Sequence, residues 1–330
     1  MIQRRDKVKA SVFTEYGPPE VLQIKEVEKP TPKDNEVLIK IHAATVNRND
    51  CGFRSAEYFF IRFFFGLLRP RKHILGTELA GTVEAIGKNV QSFRVGDEVF
   101  GITGGINFGT HAEYVCLPES APITAKPANM SMEEAAAVCD GMTMAYNYIS
   151  KIDFSGGISI LIYGASGSIG TAAVQLAKYF GAKVTAVCNT KNLELVKSLG
   201  ADKIVDYTAE DFTKDGQLYD VVLDAVGKSS FSRCKKLLKP GGVYYSTDLG
   251  PHAENIYLPL VTSFVGNKKM RFPLPKETKE QIIFFKKMIE EGKYRAVIDR
   301  TYSLEQIVEA TRYVESQQKT GNVVIKVSGI

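Results

Sequence analysis

Residues Ile158 to Phe180 read ISILIYGASGSIGTAAVQLAKYF. Ile158 to Tyr163 is short, apolar and rich in β-branched residues, as a strand buried on both faces of a parallel sheet must be. Gly164, Gly167 and Gly170 follow. Ile169, Ala172, Ala173, Leu176, Ala177 and Phe180 then recur at steps of three and four, which marks one face of a helix. A glycine-rich turn between a buried strand and a helix leaves backbone N–H groups at the positive end of the helix dipole, a seat for a pyrophosphate. The fingerprint for such a turn is G-x-G-x-x-G; here Ala165 holds its first position, with Gly167 and Gly170 at the expected offsets. A dinucleotide is the expected ligand. In this reading Gly167 lets the backbone approach the phosphates, and Gly170 lets the helix pack closely on the strand.

A chain of 330 residues with 44% hydrophobic content can bury two cores, and two domains are expected. A net charge of +5 spread along the chain leaves no nucleic-acid footprint. Cys51, Cys116, Cys139, Cys188 and Cys234 show neither C-x-x-C spacing nor a disulfide framework, which suits free thiols in a reducing, cytoplasmic setting. Met1 to Lys7 is basic but lacks a following apolar run, so no signal peptide is expected. Tyr58 to Leu68, YFFIRFFFGLL, is too short to span a bilayer, which takes about 20 residues.

Val8 to Phe13, Val21 to Val27 and Glu36 to His42, separated by Gly-Pro and Pro-rich turns, read as antiparallel strands. Leu79 to Ile86, Glu98 to Phe100 and Ala112 to Leu117 add short strands between glycines, so a small barrel-like domain is expected at the start. Ser131 with Glu134 is a capping box that opens an Ala-rich helix. From Ile158 strands and helices alternate: Lys183 to Cys188, Asn192 to Leu199, Lys203 to Tyr207, Asp220 to Val226, Phe231 to Leu238 (helix) and Gly242 to Ser246. Such alternation predicts a doubly wound parallel sheet. Lys268 to Phe272 is a last strand, Glu277 to Glu291 and Leu304 to Glu315 are helices, and Val323 to Val327 closes the chain.

The order of elements, with GTELAGTVEAIGKNVQSFRVGDEVFG (Gly76 to Gly101), GTHAEYVCLP (Gly109 to Pro118), YGASGSIGTAAVQLAKYFGAKV (Tyr163 to Val184) and LGADKIVDY (Leu199 to Tyr207), resembles the medium-chain dehydrogenase/reductase superfamily. The resemblance implies an α/β fold: a GroES-like β-barrel catalytic domain (1–123 with 275–330) and a Rossmann domain (124–274), with the active site in the cleft between them. Zinc-dependent members hold the metal with a Cys near Asn47 and a His in a Gly-His-Glu segment. Here those places carry Asn47 and Thr77, neither a usual zinc ligand, and the four-cysteine structural lobe is missing. No metal is expected, and the four histidines (His42, His73, His111, His252) read as structural or surface residues.

Asn47, Asp50, Arg54 and Tyr58 match the N-x-x-D-x-x-x-R-x-x-x-Y pattern of the zinc-free branch of quinone oxidoreductases and alkenal or enoyl reductases. Asp50 and Arg54, four apart, are expected to pair on a helical turn and hold the loop. By resemblance the catalytic residues are Tyr58, as hydrogen-bond donor to a developing enolate, and Asn47, orienting nicotinamide or substrate. The cofactor-binding residues are Asn47, Thr143, Gly164, Ala165, Ser166, Gly167, Ser168, Ile169, Gly170, Asn189, Thr190, Lys191, Tyr207, Ala225, Val226 and Gly227.

No carboxylate follows the strand Lys183 to Cys188. Asn189, Thr190 and Lys191 stand there instead, and a lysine attracts a 2′-phosphate where a carboxylate would repel it, so NADP is the expected cofactor. The expected function is NADPH-dependent, zinc-independent hydride transfer to quinones or α,β-unsaturated carbonyl compounds. Three alternatives stand beside it: an enoyl-thioester reductase, a non-enzymatic NADPH-binding (crystallin-like or regulatory) protein and, with less support, a zinc alcohol dehydrogenase. The aromatic run Phe59, Phe60, Phe63, Phe64 and Phe65 is expected to be an apolar lid or a core or dimer contact, with an interfacial membrane foot helped by Arg69, Arg71 and Lys72 as a third option. A homodimer paired through the Lys268–Phe272 edge is expected, with no nucleic-acid partner and no stable membrane insertion.

Overall fold

The computed structural model describes residues 6–59, 61–105, 107–214 and 216–327; Met1–Arg5 and Phe60 from the stretches above lie outside the described residues, as does the side chain of Phe64. The chain forms two compact units, one running to Asp140 and resuming at Glu277, the other Gly141–Lys276. The first break thus falls after the capping-box helix rather than at 123/124.

In the first unit, β1 (Lys7–Val12) pairs antiparallel with β2 (Gln23–Glu28). Between them Pro19–Val21 forms a 3-10 turn in which the Pro18 and Pro19 carbonyls accept from the amides of Val21 and Leu22, so the second strand starts two residues later than its apolar pattern suggests. β3 (Glu36–Val46) is the spine of a seven-stranded sheet and runs four residues past His42. It is followed by α1 (Arg48–Ser55) and the short α2 (Ile61–Phe65). β4 (Glu78–Ile86), β5 (Glu98–Ile102), β6 (Tyr114–Pro118) and β7 (Ile123–Ala125) complete the N-terminal strands, β7 being three residues with no alternation to read. α3 (Met132–Ala136) opens on the expected Ser131/Glu134 capping box, and α4 (Cys139–Ile149) leads into the second unit.

The second unit carries β8 (Ser159–Tyr163), α5 (Ser168–Tyr179), β9 (Lys183–Cys188), α6 (Leu193–Ser198) and β10 (Lys203–Asp206). It continues with β11 (Tyr219–Asp224), α7 (Phe231–Cys234), β12 (Leu238–Ser246), α8 (Glu254–Phe264) and β13 (Lys269–Arg271). All six strands are parallel in the order β10-β9-β8-β11-β12-β13, the doubly wound arrangement with its switch point at β8. The helix expected over Phe231 to Leu238 ends at Cys234, because Leu238 is the first ladder residue of β12, paired with Tyr219. α8 escapes the sequence pattern because Pro259 sits inside it and its apolar residues are largely exposed.

The chain then returns to the first unit with α9 (Lys279–Glu290), β14 (Ile298–Ser303), α10 (Ile307–Glu315) and β15 (Asn322–Lys326). β15 joins β3 antiparallel and β14 parallel, so both ends of the chain build one sheet and one core, in which Ile39, Ile41, Leu79, Val99, Ile307 and Val323 are buried together.

Candidate active site

The turn expected to cradle the nucleotide lies at the carboxyl end of β8. Gly164 adopts φ +80°, and its amide and that of Ala165 both donate to the Val187 carbonyl at 3.0 Å, which folds the turn back onto β9. A Cβ on Gly170 would lie 2.1 Å from the Gly164 oxygen, so the close packing of α5 on the turn requires glycine there. At Gly167 the nearest protein atom to a Cβ is 3.7 Å away; packing does not require that glycine, and approach of a ligand is what remains to account for it. Ala165 is fully buried with room for its methyl, which explains the missing first glycine. No side chain caps the start of α5, so its first turn presents amides to an anion.

Ala225, Val226 and Gly227 form the facing wall. Val226 lies where a Cβ on Gly164 would strike it, at 2.4 Å. The wall is held by Asp224, which sequence reasoning missed. Its carboxylate accepts from the amides of Val226 (3.2 Å), Gly227 (2.8 Å) and Ser229 (2.7 Å) and from the Tyr244 hydroxyl (3.2 Å). Burial raises the Asp224 pKa, opposed by those hydrogen bonds. An Asp closing a strand before Ala-Val-Gly was the available signal. In α4, the hydroxyl of Thr143 is buried without a hydrogen-bond partner among the described residues, as a group intended for a bound molecule would be. Glycine turn, uncapped helix and orphan hydroxyl together fit a nicotinamide dinucleotide.

At the far end of β9 the expectation needs correcting. Asn189, Thr190 and the exposed Lys191 lie as expected, and Tyr207 is exposed with its ring edge-on to Tyr163 at 6.3 Å. A carboxylate does stand beside them: Asp206, last residue of β10, is in register with Cys188. It accepts from the hydroxyls of Thr190 (2.6 Å) and Thr208 (2.7 Å), which, Thr190 first, hold its pKa below the usual range. The single hydroxyl hydrogen of Thr190 is therefore committed to Asp206 and is not offered to a phosphate. Adjacent is a cavity of about 320 Å³ walled by Tyr163, Tyr207, Phe212 and Arg233, with the Arg233 guanidinium 4.9 Å from the Phe212 ring centre.

In the first unit, Asn47 caps α1. Its Oδ1 accepts from the Asp50 amide (3.1 Å), and Asp50 returns the bond to the Asn47 amide (3.0 Å), a capping box. The Asn47 Nδ2 donates to Thr77 Oγ1 at 3.1 Å, so the two residues expected at the zinc-ligand places are bonded to each other. Among the described residues no group of three His, Cys, Asp or Glu side chains converges as a metal site.

Asp50 and Arg54 do not pair as expected. Asp50 turns to the Gly76 amide (3.0 Å), whereas Arg54, buried, donates to the Gly17 carbonyl and to Glu315. Both are structural: Asp50 ties α1 to the strand entering β4, Arg54 ties it to α10. Tyr58 lies in the bend before α2 and is 38% exposed. The aromatic run divides: Ile61 and Phe65 enter the core, Phe65 against Phe53 and Phe108, while Phe59, Phe63, Leu67 and Leu68 are exposed. His42, His73 and His111 each bond to Thr82, the Phe13 carbonyl and the Thr45 carbonyl respectively, as structural histidines do.

Beneath Thr77 lies a buried ionisable cluster that the sequence did not disclose. Glu78 accepts from the Asp140 amide at 2.7 Å and from the Thr45 hydroxyl, and Lys319 is half-buried nearby, its Nζ bonded to the Gly321 carbonyl at 2.6 Å. Burial, reinforced by neighbouring carboxylates, pushes Glu78 up to about 8 and Asp140 to about 7.

The profile of the alcohol dehydrogenase GroES-like domain matches residues 33–128, and that of a zinc-binding dehydrogenase domain matches 199–325. The 2-methylene-furan-3-one reductase of Solanum lycopersicum is 35% identical, aligned over 97% of this chain and 79% of that protein. The NADPH-dependent alkenal/one oxidoreductase of Arabidopsis thaliana is 31% identical over the same shares. The quinone oxidoreductase of Coxiella burnetii superposes with a TM-score of 0.86 at 28% identity, over 98% of this chain and all of the other. With its GroES-like first domain and its Rossmann sheet, the chain is an oxidoreductase that belongs to the medium-chain dehydrogenase/reductase superfamily, in the quinone oxidoreductase-like branch.

Proposed function

We propose that the protein uses NADPH to reduce quinones or α,β-unsaturated carbonyl compounds without a metal. The observation that carries this is the Asn47–Thr77 hydrogen bond: an amide and a hydroxyl stand where a Lewis acid would be held, so an acceptor needing strong polarisation of an isolated carbonyl is poorly served. A conjugated acceptor takes hydride at its β-carbon and develops charge on an enolate oxygen, which neutral donors stabilise. Two relatives are named for such acceptors. A bound reduced nicotinamide supplies the hydride. The chain's share is to seat the pyrophosphate on the first turn of α5 and to offer Tyr58 and Asn47 to the acceptor; a tyrosine, with an ordinary pKa of about 10, donates without ionising.

Preference for NADPH rests on Lys191, with Tyr207 beside it, and is opposed by the ionised Asp206. Steady-state rates with 1,4-benzoquinone, an alkenal and a simple aldehyde, each with NADPH or NADH and a chelator present, test the whole reading. Quinone or enone turnover favouring NADPH and indifferent to the chelator is expected. Lys191→Ala raises KM for NADPH about ten-fold and leaves that for NADH nearly unchanged, as loss of one screened charge–phosphate contact implies. Aldehyde reduction abolished by the chelator overturns the metal-free assignment.

A homodimer through β13 is part of the proposal. That strand is an open edge, and beside it α8 exposes Ile256, Tyr257, Leu260, Val261 and Phe264, an apolar stripe that a lone chain leaves wet. Light scattering at micromolar concentration should give twice the chain mass, falling to one in Phe264→Glu; a wild-type monomer sinks it. The five cysteines are all unpaired, which supports a reducing, cytoplasmic compartment, and no helix among the described residues is long and apolar enough to cross a membrane.

A further inference from the structure

The segment from Tyr58 to Lys72 is a built tip, apolar at its point and basic around it. Its base is fixed: Phe65 packs against Phe53 at 4.5 Å and Phe108 at 5.7 Å, and the Tyr16 hydroxyl donates to the Gly66 carbonyl at 2.8 Å. The Arg71 amide closes onto the Phe65 carbonyl at 2.6 Å, and Arg62 lies over the Tyr16 ring at 4.8 Å. Gly66, at φ +123°, makes the turn; a Cβ there would sit 2.0 Å from the Arg69 oxygen.

From this base Phe59, Phe63, Leu67 and Leu68 project with exposures of 66, 63, 54 and 85%. Four large apolar side chains exposed within ten residues of an otherwise packed element form a contact surface rather than scattered surface residues. Around them stand Arg62, Arg69, Arg71 and Lys72, and residues 58–77 contain no Asp or Glu. None of the four cations has a carboxylate within ion-pair distance among the described residues.

We propose that this tip docks the protein on an anionic lipid surface, with Phe59, Phe63, Leu67 and Leu68 entering the headgroup–acyl boundary and the four cations meeting lipid phosphates. Apolar residues inserted about 5–10 Å deep, with cations at headgroup level, are the physical form of a peripheral anchor. Charge decides against a second copy as the occupant. A two-fold contact through the tip would press four cations on four. The other large apolar face, on α8, is taken by the homodimer proposed above and is not open to the tip.

Docking is read without turnover, so it stands or falls apart from the reductase reading. Co-sedimentation of the full chain with phosphatidylcholine vesicles, with and without phosphatidylglycerol, is the test, at low salt and again at a salt where the Debye length is about 3 Å. Binding is expected only with phosphatidylglycerol and is lost in high salt. Arg69→Gln with Arg71→Gln should weaken it about 25-fold, at about five-fold per cation, with melting temperature unchanged. The chain has no tryptophan, so Leu68→Trp is a sole reporter whose emission should shift to the blue on vesicles and be quenched by brominated acyl chains. No binding to phosphatidylglycerol vesicles at low salt, binding unaffected by the arginine changes, or a Leu68→Trp emission that does not move overturns the proposal. So does a wild-type oligomer that Leu68→Ser dissociates, which would make the tip a contact between copies.

Discussion

Gly170→Ala should cost about a hundred-fold or more in NADPH affinity and in kcat/KM. The added Cβ would sit 2.1 Å from the Gly164 oxygen, 2.7 Å from Ala165 Cα and 2.8 Å from its carbonyl carbon, all backbone atoms that no rotamer change moves aside. The start of α5 must therefore lift off the end of β8 by about 1 Å, and a displacement of that size at a binding site costs about 100-fold. Overpacking alone should also lower stability by about 1–3 kcal/mol. Gly167→Ala separates the two effects. Its nearest protein neighbour is 3.7 Å away, so the fold should melt as wild type while cofactor affinity falls, because the methyl would stand in the path of the proposed phosphate. Fluorescence titration with NADPH beside a thermal melt reads both. Wild-type affinity in Gly170→Ala removes the turn from the cofactor site, and wild-type affinity in Gly167→Ala removes close backbone approach.

The second unit was largely legible because its signals are local. An apolar run, three glycines and a 3.6-residue period sit within 23 residues, and each later strand is bounded by a helix or a turn. What escaped depends on neighbours distant in the chain. β14 gains its place by pairing with β15, and β7 by pairing with β5, neither of which a window of sequence contains. Asp206 shows the same limit at the site: the residues after β9 contain no carboxylate, yet the parallel register brings one from the end of β10 to Thr190. Asp50 and Arg54 had the right spacing for a helical ion pair, but both are buried, and each finds a partner outside the helix at Gly76 or at Gly17 and Glu315. Spacing predicts proximity; it does not say which of several partners a buried charge takes.

The Glu78 cluster, invisible in the sequence for the same reason, should set the pH dependence of stability. Glu78 is buried and Asp140 half-buried, with Asp50, Glu277 and Lys319 the charged groups acting on them. An acid whose folded pKa lies above its unfolded value keeps its proton in the native state after the unfolded chain has released it. Its contribution is fully present below the unfolded pKa of about 4, then declines by up to about 1.4 kcal/mol per pH unit until the folded pKa is passed. With Glu78 at about 8 and Asp140 at about 7, the melting temperature should fall steadily from pH 5 to pH 8. Exposed carboxylates such as Asp202 and Asp211, held below their ordinary values, work the other way and lose their contribution only as pH falls through about 4. Lys319, lowered by burial against the pull of the two carboxylates, works against the decline.

Glu78→Gln retains an acceptor for the Asp140 amide and a partner for the Thr45 hydroxyl, but has no proton to lose. It should flatten most of the slope and melt higher than wild type at pH 8, by about 5 °C for about 2 kcal/mol. Glu78→Ala should instead melt lower at every pH, by the equivalent of about 2–5 kcal/mol, because it leaves a cavity and removes the acceptor of the buried Thr45 hydroxyl and of the Asp140 amide. A wild-type profile flat from pH 5 to pH 8, or the same slope in Glu78→Gln, would mean that the carboxyl is ionised throughout and that Lys319 compensates it.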